Sequence, residues 1–246
     1  LATGTINGDI LLNDLMGAPQ FTADLTVDNF TFKRDTVGNL AINVDNQTLN
    51  TLNANVQLSG AGNDVEMTGL YSTDTGNLDF DLDLRQLNIK SIQGFSFGNI
   101  TGGEGYLSGD LRLEGTATEP VILGDLEFND VGFIVVMLDN YFQNMNDPVS
   151  FTREGISFNQ FTIEDEDSNE MVVNGTLQTS DYTSYGFNLT INADNFRAIS
   201  STAEDNEFYY GDLILDTRLT VGGSLESPVV RGNINIREGT EISVVL

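Results

Sequence analysis

Residues 109–128 read GDLRLEGTATEPVILGDLEF, and the fold is decided by this stretch because it occurs three times. From the proline onward the copies read PQFTADLTV at Pro19, PVILGDLEF at Pro120 and PVVRGNINI at Pro228. An apolar residue stands two places after each proline (Phe21, Ile122, Val230) and a small one four places after (Ala23, Gly124, Gly232). Apolar residues follow six and eight places after: Leu25 and Val27, Leu126 and Phe128, Ile234 and Ile236. Period two marks a strand with one buried face. Before each proline stand Ile10 and Leu12, Leu111 and Leu113, or Leu219 and Val221, at the same distances. Each copy is therefore a strand, a turn and a second strand opened by proline, which has no N–H for a ladder and is tolerated at a strand's first residue.

The prolines are 101 and 108 residues apart, and further matches lie between the copies at nearly the same offset. Val65, Met67 and Gly69 answer to Met171, Val173 and Gly175; Phe80, Leu82 and Leu84 answer to Phe187, Leu189 and Ile191. The chain reads as one continuous body, 1–246, built from repeats of roughly 100–108 residues: units at about 1–100 and 101–207, and the start of a third at 208–246. That period exceeds the usual solenoid repeat of about 20–50 residues, so each unit must itself hold several strands.

Between the copies the strand pattern continues. Leu40, Ile42 and Val44, then Leu52, Ala54, Val56 and Leu58, keep one parity, and Asp79, Asp81 and Asp83 alternate with Phe80, Leu82 and Leu84 as a solvated face. Glu154-Gly155 and Asn174-Gly175 read as turns or bulges. Residues 131–145 (VGFIVVMLDNYFQNM) alternate least, and periodicity does not choose between a short helix and a fully buried strand. No convincing helix appears. Roughly sixteen to eighteen strands at about 4.8 Å spacing give a sheet on the order of 80 Å long.

With no Cys and no His, the chain has no disulfide, thiolate or His-based metal site and no Ser-His-Asp or Cys-His nucleophile, so the expectation is a non-enzyme without cofactors. Asp165 to Asn169 opens like a calcium loop but has Glu170 at the sixth place and Thr176 at the twelfth; an acidic hairpin turn and no metal are expected. A net charge of −27, from 37 acids and 10 bases, excludes nucleic acid and repels anionic headgroups, so any lipid would be held by its tail. The chain opens on Leu1 without a leader, which suggests a piece of a longer protein whose anchor lies elsewhere.

On the residues alone, apolar-in and acid-out alternation suits a β-sandwich or β-helix module of an adhesin or scaffold as well as an open groove. The Gly-Asp strand, turn and Pro strand, with DPVSFTREGISFNQFTIEDEDSNEMVVNG (147–175), YGFNLTINADNFRAIS (185–200) and TAEDNEFYYGD (202–212), resemble the C-terminal region of the TamB family, related to AsmA-like proteins, in its Bacteroidetes-type form. The resemblance implies an all-β fold: an elongated, curled, largely antiparallel sheet forming an open apolar groove, a β-taco or half-pipe. It implies a bridge across the periplasm of a Gram-negative bacterium, anchored in the inner membrane, that conducts phospholipid acyl chains, supports outer-membrane biogenesis and works with an outer-membrane β-barrel of the TamA/BamA-like type. The groove would be lined by the matched apolar residues: Phe21, Leu25, Val27, Val65, Met67, Phe80, Leu82, Leu84, Leu111, Leu113, Ile122, Leu126, Phe128, Met171, Val173, Phe187, Leu189, Ile191, Leu219, Val221, Val230, Ile234 and Ile236.

Overall fold

The computed structural model describes residues 2–13, 16, 20–179, 182–204, 206 and 208–245. In chain order the strands are β1 (Ala2–Asn13), β2 (Gln20–Phe32), β3 (Asp35–Asp45), β4 (Thr51–Gly60), β5 (Asn63–Ser72), β6 (Asn77–Asn88), β7 (Ile100–Thr116), β8 (Pro120–Val135), β9 (Asn140–Met145), β10 (Val149–Thr152), β11 (Gly155–Glu164), β12 (Glu170–Gln178), β13 (Gly186–Ser201), β14 (Tyr209–Ser224), β15 (Ser227–Ile236) and β16 (Glu241–Val244). A helical turn, α1 (Ile89–Ile92), and a 3-10 turn (Gln93–Ser96) follow β6. All sixteen strands form one antiparallel sheet in which, apart from β9/β10 and β15/β16, neighbours in sequence are neighbours in space. Two-residue turns help to set that order: Lys33-Arg34 and Ala61-Gly62 have positive φ at both positions, the geometry whose twist matches antiparallel strands.

Two strand lines are broken. β9 lies against Val131–Val135 of β8 while β10 lies against Gly124–Leu126, and β15 and β16 both lie against β14. The sheet is thus fourteen positions wide. At about 4.8 Å per gap it is roughly 60 Å long, shorter than the strand count alone suggested. Residues 131–145 are neither a helix nor one strand, but the end of β8, a turn and β9. Pro120 opens β8 as expected, Pro228 is the second residue of β15, and Pro19 lies outside the described residues.

What bends the strands is a repeated bulge. Asn29, Asp130, Gln160 and Asn195 have φ between 48° and 55°, and each adds one residue to its strand against its neighbour. Every one of the four amides then donates to a side chain: Asn29 to Asn39 Oδ1 (2.9 Å), Asp130 to Asn146 Oδ1 (2.7 Å), Gln160 to Asn174 Oδ1 (2.8 Å) and Asn195 to Asp216 Oδ1 (2.8 Å). A bulged amide without a ladder partner is costly to bury, and these acceptors satisfy it. Asn174-Gly175 is therefore not a turn. It sits inside β12, with Asn174 capping the neighbouring bulge.

Beyond the bulges the strand ends pack on one another. Val131, Phe142, Met145, Phe161 and Phe196 are at most 8% exposed, with the Phe142 and Phe196 rings stacked at 5.8 Å. α1 fills a notch above the short β4–β5 turn. There Asn63, buried, donates to Val37 O (2.7 Å) and accepts from Asn88 N (2.7 Å), while Gln93 reaches Asp35 (2.9 Å). Asn88 caps the turn by accepting from Lys90 N. Four helical residues are too few to show a 3.6 period, so the sequence pattern did not contain α1.

Gly124, the small residue four places after the second proline, has φ +121° and sits so close to β7 that a Cβ would lie 2.2 Å from Asp110 O. Gly76 also has positive φ (+75°) but open space around it. We expect Gly124→Ala to lower unfolding free energy by about 2–4 kcal/mol and Gly76→Ala by only about 1 kcal/mol, read from denaturant midpoints. Equal losses would mean that the backbone at residue 124 has room to relax.

Candidate functional site: an apolar groove

Antiparallel partners project to the same side of a sheet, so the register can be followed across it residue by residue. One row runs Ile6, Val27, Leu40, Leu58, Val65, Leu84, Gly109, Leu126, Val149, Phe158, Gly175, Leu189, Val221, Val230. It takes one residue from each of the fourteen positions and contains no polar side chain. The adjacent row on that face carries Leu25, Met67, Leu82, Leu111 and Phe187, and Phe80, Leu113 and Ile122 lie one step further. Phe21, Phe128, Met171, Val173, Ile191, Leu219, Ile234 and Ile236 fall on the same face through their partners Leu12, Leu107, Ala193, Phe161, Val173, Ile191, Thr217 and Leu215.

The face is uneven in depth. Phe80 and Leu84 are 7% exposed, most of the others are half-buried, and Val230, Ile234 and Ile236 at the β15 edge are more than half exposed. The face also takes in Val149, Phe151, Phe158 and Phe161, which the matched-repeat reading left out. Phe158 and Phe161 share a face although three residues apart, because the bulge at Gln160 shifts the parity. Val27/Phe30, Phe128/Val131 and Ala193/Phe196 follow the same rule. The sequence signal was there: apolar residues three apart with Asn, Asp or Gln immediately before the second.

The accessible surface is 14232 Å², whereas a compact monomer of this mass exposes about 10,800 Å². The excess, roughly 3,500 Å² of polar and apolar surface together, is what a sheet left open on one side exposes.

The opposite face is polar. Its row beside the apolar one carries Gln57, Glu66, Asp83, Asp110, Asp125 and Ser150. Arg85 lies within 3.3 Å of Asp64, Glu66 and Asp83, and Ser150 donates to Asp125 at 2.6 Å. Hydrogen bonds from Asn55, Gln57 and Arg85 hold the Glu66 carboxyl below its ordinary range, and Arg237 with the Asn195 amide does the same for Asp216. A carboxyl so lowered adds stability that is in place above its unfolded pKa and is lost as the pH falls through its folded one. These pairs are exposed, and each is worth little on its own.

The acidic turn at 165–169 is the β11–β12 connection, but Asp165 is fully buried within it. Its oxygens accept from the amides of Asp167, Asn169 and Arg197 and from Asn169 Nδ2, while Asp167 pairs outward with Arg197 at 2.7 Å. Those lone pairs are already engaged, and the two carboxylates diverge. Among the described residues no three acidic side chains are grouped so as to hold a metal ion, and no helix is long and apolar enough to cross a membrane.

A single curled antiparallel sheet, apolar along one side and acidic along the other, defines a groove-bearing β-sheet protein of the β-taco kind. Within it, residues 159–245, from β11 to the end of β16, match the family model described as TamB C-terminal domain. No curated protein and no solved structure matches the chain.

Two outcomes are expected from these contacts. Leu82→Asp, on the half-buried face, leaves a folded protein less stable by about 1–2 kcal/mol, whereas Phe196→Asp, 2% exposed and stacked on Phe142, prevents folding, both read by circular dichroism in a denaturant series. Asp165→Ala strips several buried N–H groups of their acceptor and costs about 2–4 kcal/mol, while chelator leaves the wild-type Tm within a few degrees.

Proposed function

We propose that this chain is a non-catalytic segment of a periplasmic bridge that conducts phospholipid acyl chains along its apolar face between the inner and outer membranes, in support of outer-membrane biogenesis. The observation that carries the proposal is the fourteen-position row without a polar side chain. A chain of about sixteen methylenes at about 0.8 kcal/mol each gains roughly 13 kcal/mol before ordering costs, enough to be held without headgroup contact. A continuous apolar track lets that tail slide, while the acidic outer face leaves the phosphate in water. The match of residues 159–245 to the TamB C-terminal domain supports a role in outer-membrane assembly. It makes an outer-membrane β-barrel of the TamA/BamA-like type the natural partner, with anchorage in the inner membrane through a part of the protein other than this sheet.

A photo-crosslinking side chain at Leu82 or Leu189 is expected to capture phospholipid in cells, and one at Asp81 on the outer face is not. Leu189→Asp should abolish lipid transfer while circular dichroism stays native; Asp81→Leu should leave transfer unchanged. Lipid captured equally from both faces, or transfer undiminished in folded Leu189→Asp, would exclude the conduit.

A further inference from the structure

The two long rims of the sheet differ. One is built of turns such as those at residues 46–50, 73–76 and 225–226. The other carries the Lys33-Arg34 turn, α1, the 3-10 turn, the loop at 136–139 and, between β13 and β14, Asn206 and Phe208, and along it aromatic side chains stand out into solvent, where the exposed apolar residues of the first rim, Met16, Leu49 and Leu225, are not aromatic. The Phe32 ring stacks on Phe95 at 4.3 Å and meets Phe97 edge-on at 6.5 Å. Val136 N donates to Asn99 O at 3.0 Å, Asn206 Nδ2 donates to Met137 O at 3.4 Å, and Val245 N donates to Phe208 O at 3.0 Å, so the loops touch one another in sequence along the rim. On this ridge Phe95, Phe97, Met137 and Phe208 are 48%, 72%, 64% and 74% exposed.

The cations are distributed just as unevenly. Arg85, Arg112, Arg153, Arg197 and Arg237 are each engaged by carboxylates. Lys33, Arg34 and Lys90, which include both lysines of the chain, form no ion pair among the described residues and lie together on the aromatic rim; Arg218 and Arg231, within β14 and β15, also form none. Lys33 Nζ sits 4.4 Å above the Phe97 ring. Asp35, the acid next to Arg34, is turned to Gln93 at 2.9 Å.

We propose that this rim docks on the surface of a bilayer containing anionic phospholipid, with Phe95 and Phe97 at the headgroup level and Lys33, Arg34 and Lys90 against the phosphates. Aromatic side chains with uncompensated cations beside them are the chemistry of that interface. The protein's overall negative charge, which on composition alone argues against anionic lipid, acts over a screening length of about 8 Å at physiological ionic strength, so the nearest charges govern. A ridge of exposed loop tips suits a deformable lipid surface better than the pocket of a protein partner. The proposal does not rest on acyl chains moving along the groove.

The chain has no tryptophan, so a single one is a clean reporter. Phe97→Trp, and separately Leu49→Trp on the opposite rim (Leu49 is 76% exposed), are mixed with phosphatidylcholine vesicles with or without about one third phosphatidylglycerol. Phe97→Trp emission is expected to shift to the blue and to be quenched by brominated lipid only with the anionic vesicles, while Leu49→Trp stays unchanged. Adding Lys33→Glu and Lys90→Glu to the Phe97→Trp variant should lower vesicle partition about ten-fold or more. The proposal is overturned if Phe97→Trp does not respond to anionic vesicles, if both reporters respond alike, or if the charge reversals leave partition unchanged. It is equally overturned if the shift appears without vesicles as protein concentration rises, which would make the rim a contact between copies.

Discussion

A left-handed residue whose amide is held by a side-chain oxygen from a neighbouring segment is the interaction on which this structure depends. At Asn29, Asp130, Gln160 and Asn195 it bends a strand without breaking the sheet. Each such residue costs about 1 kcal/mol or more in backbone strain, and the hydrogen bond it receives returns about the same. The extra residue keeps the apolar parity on one face across the bend, so the strand turns over while its hydrophobic side still points inward.

The depth of the apolar face follows from that bend. Past the bulges, strand ends come together and exclude water, which is why Val131, Phe161 and Phe196 are almost wholly buried. Before the bulges the face is less evenly covered: Phe80 and Leu84 are buried, while residues such as Leu82 and Leu189 remain half-covered. One sheet thus has a closed core along one rim and an uncovered trough beside it. The core supplies stability and the trough supplies the surface proposed to carry lipid.

The opposite face works through repulsion and hydration. Asp83, Asp110 and Asp125 face one another on adjacent strands, an arrangement that costs stability but keeps that face wet and discourages stacking against another sheet. Arg85 and Arg112 relieve part of the repulsion from positions already on strand faces. Three of the cations without an ion pair, Lys33, Arg34 and Lys90, stand together on the aromatic rim.

The period-two pattern by itself determined the all-β class, the shared face of Phe80 and Phe187 or Leu82 and Leu189, and the acidic outer side, because side-chain direction in a strand alternates whatever the sheet does next. It also made Pro120 the start of a strand, since proline has no place within a ladder. What composition lacked, His and Cys, narrowed the chemistry in the same direct way. Only the tertiary structure decided that the face is open along one part and closed along another, for a strand has the same sequence pattern in a trough and in a sandwich. It also decided that Asn174 caps a bulge instead of making a turn, and that residues 131–145 fold back as a hairpin. Phe95, Phe97 and Phe208 come onto one rim with Lys33 and Lys90 because antiparallel order brings every second turn to the same side, a consequence of strand pairing that no local stretch of sequence contains.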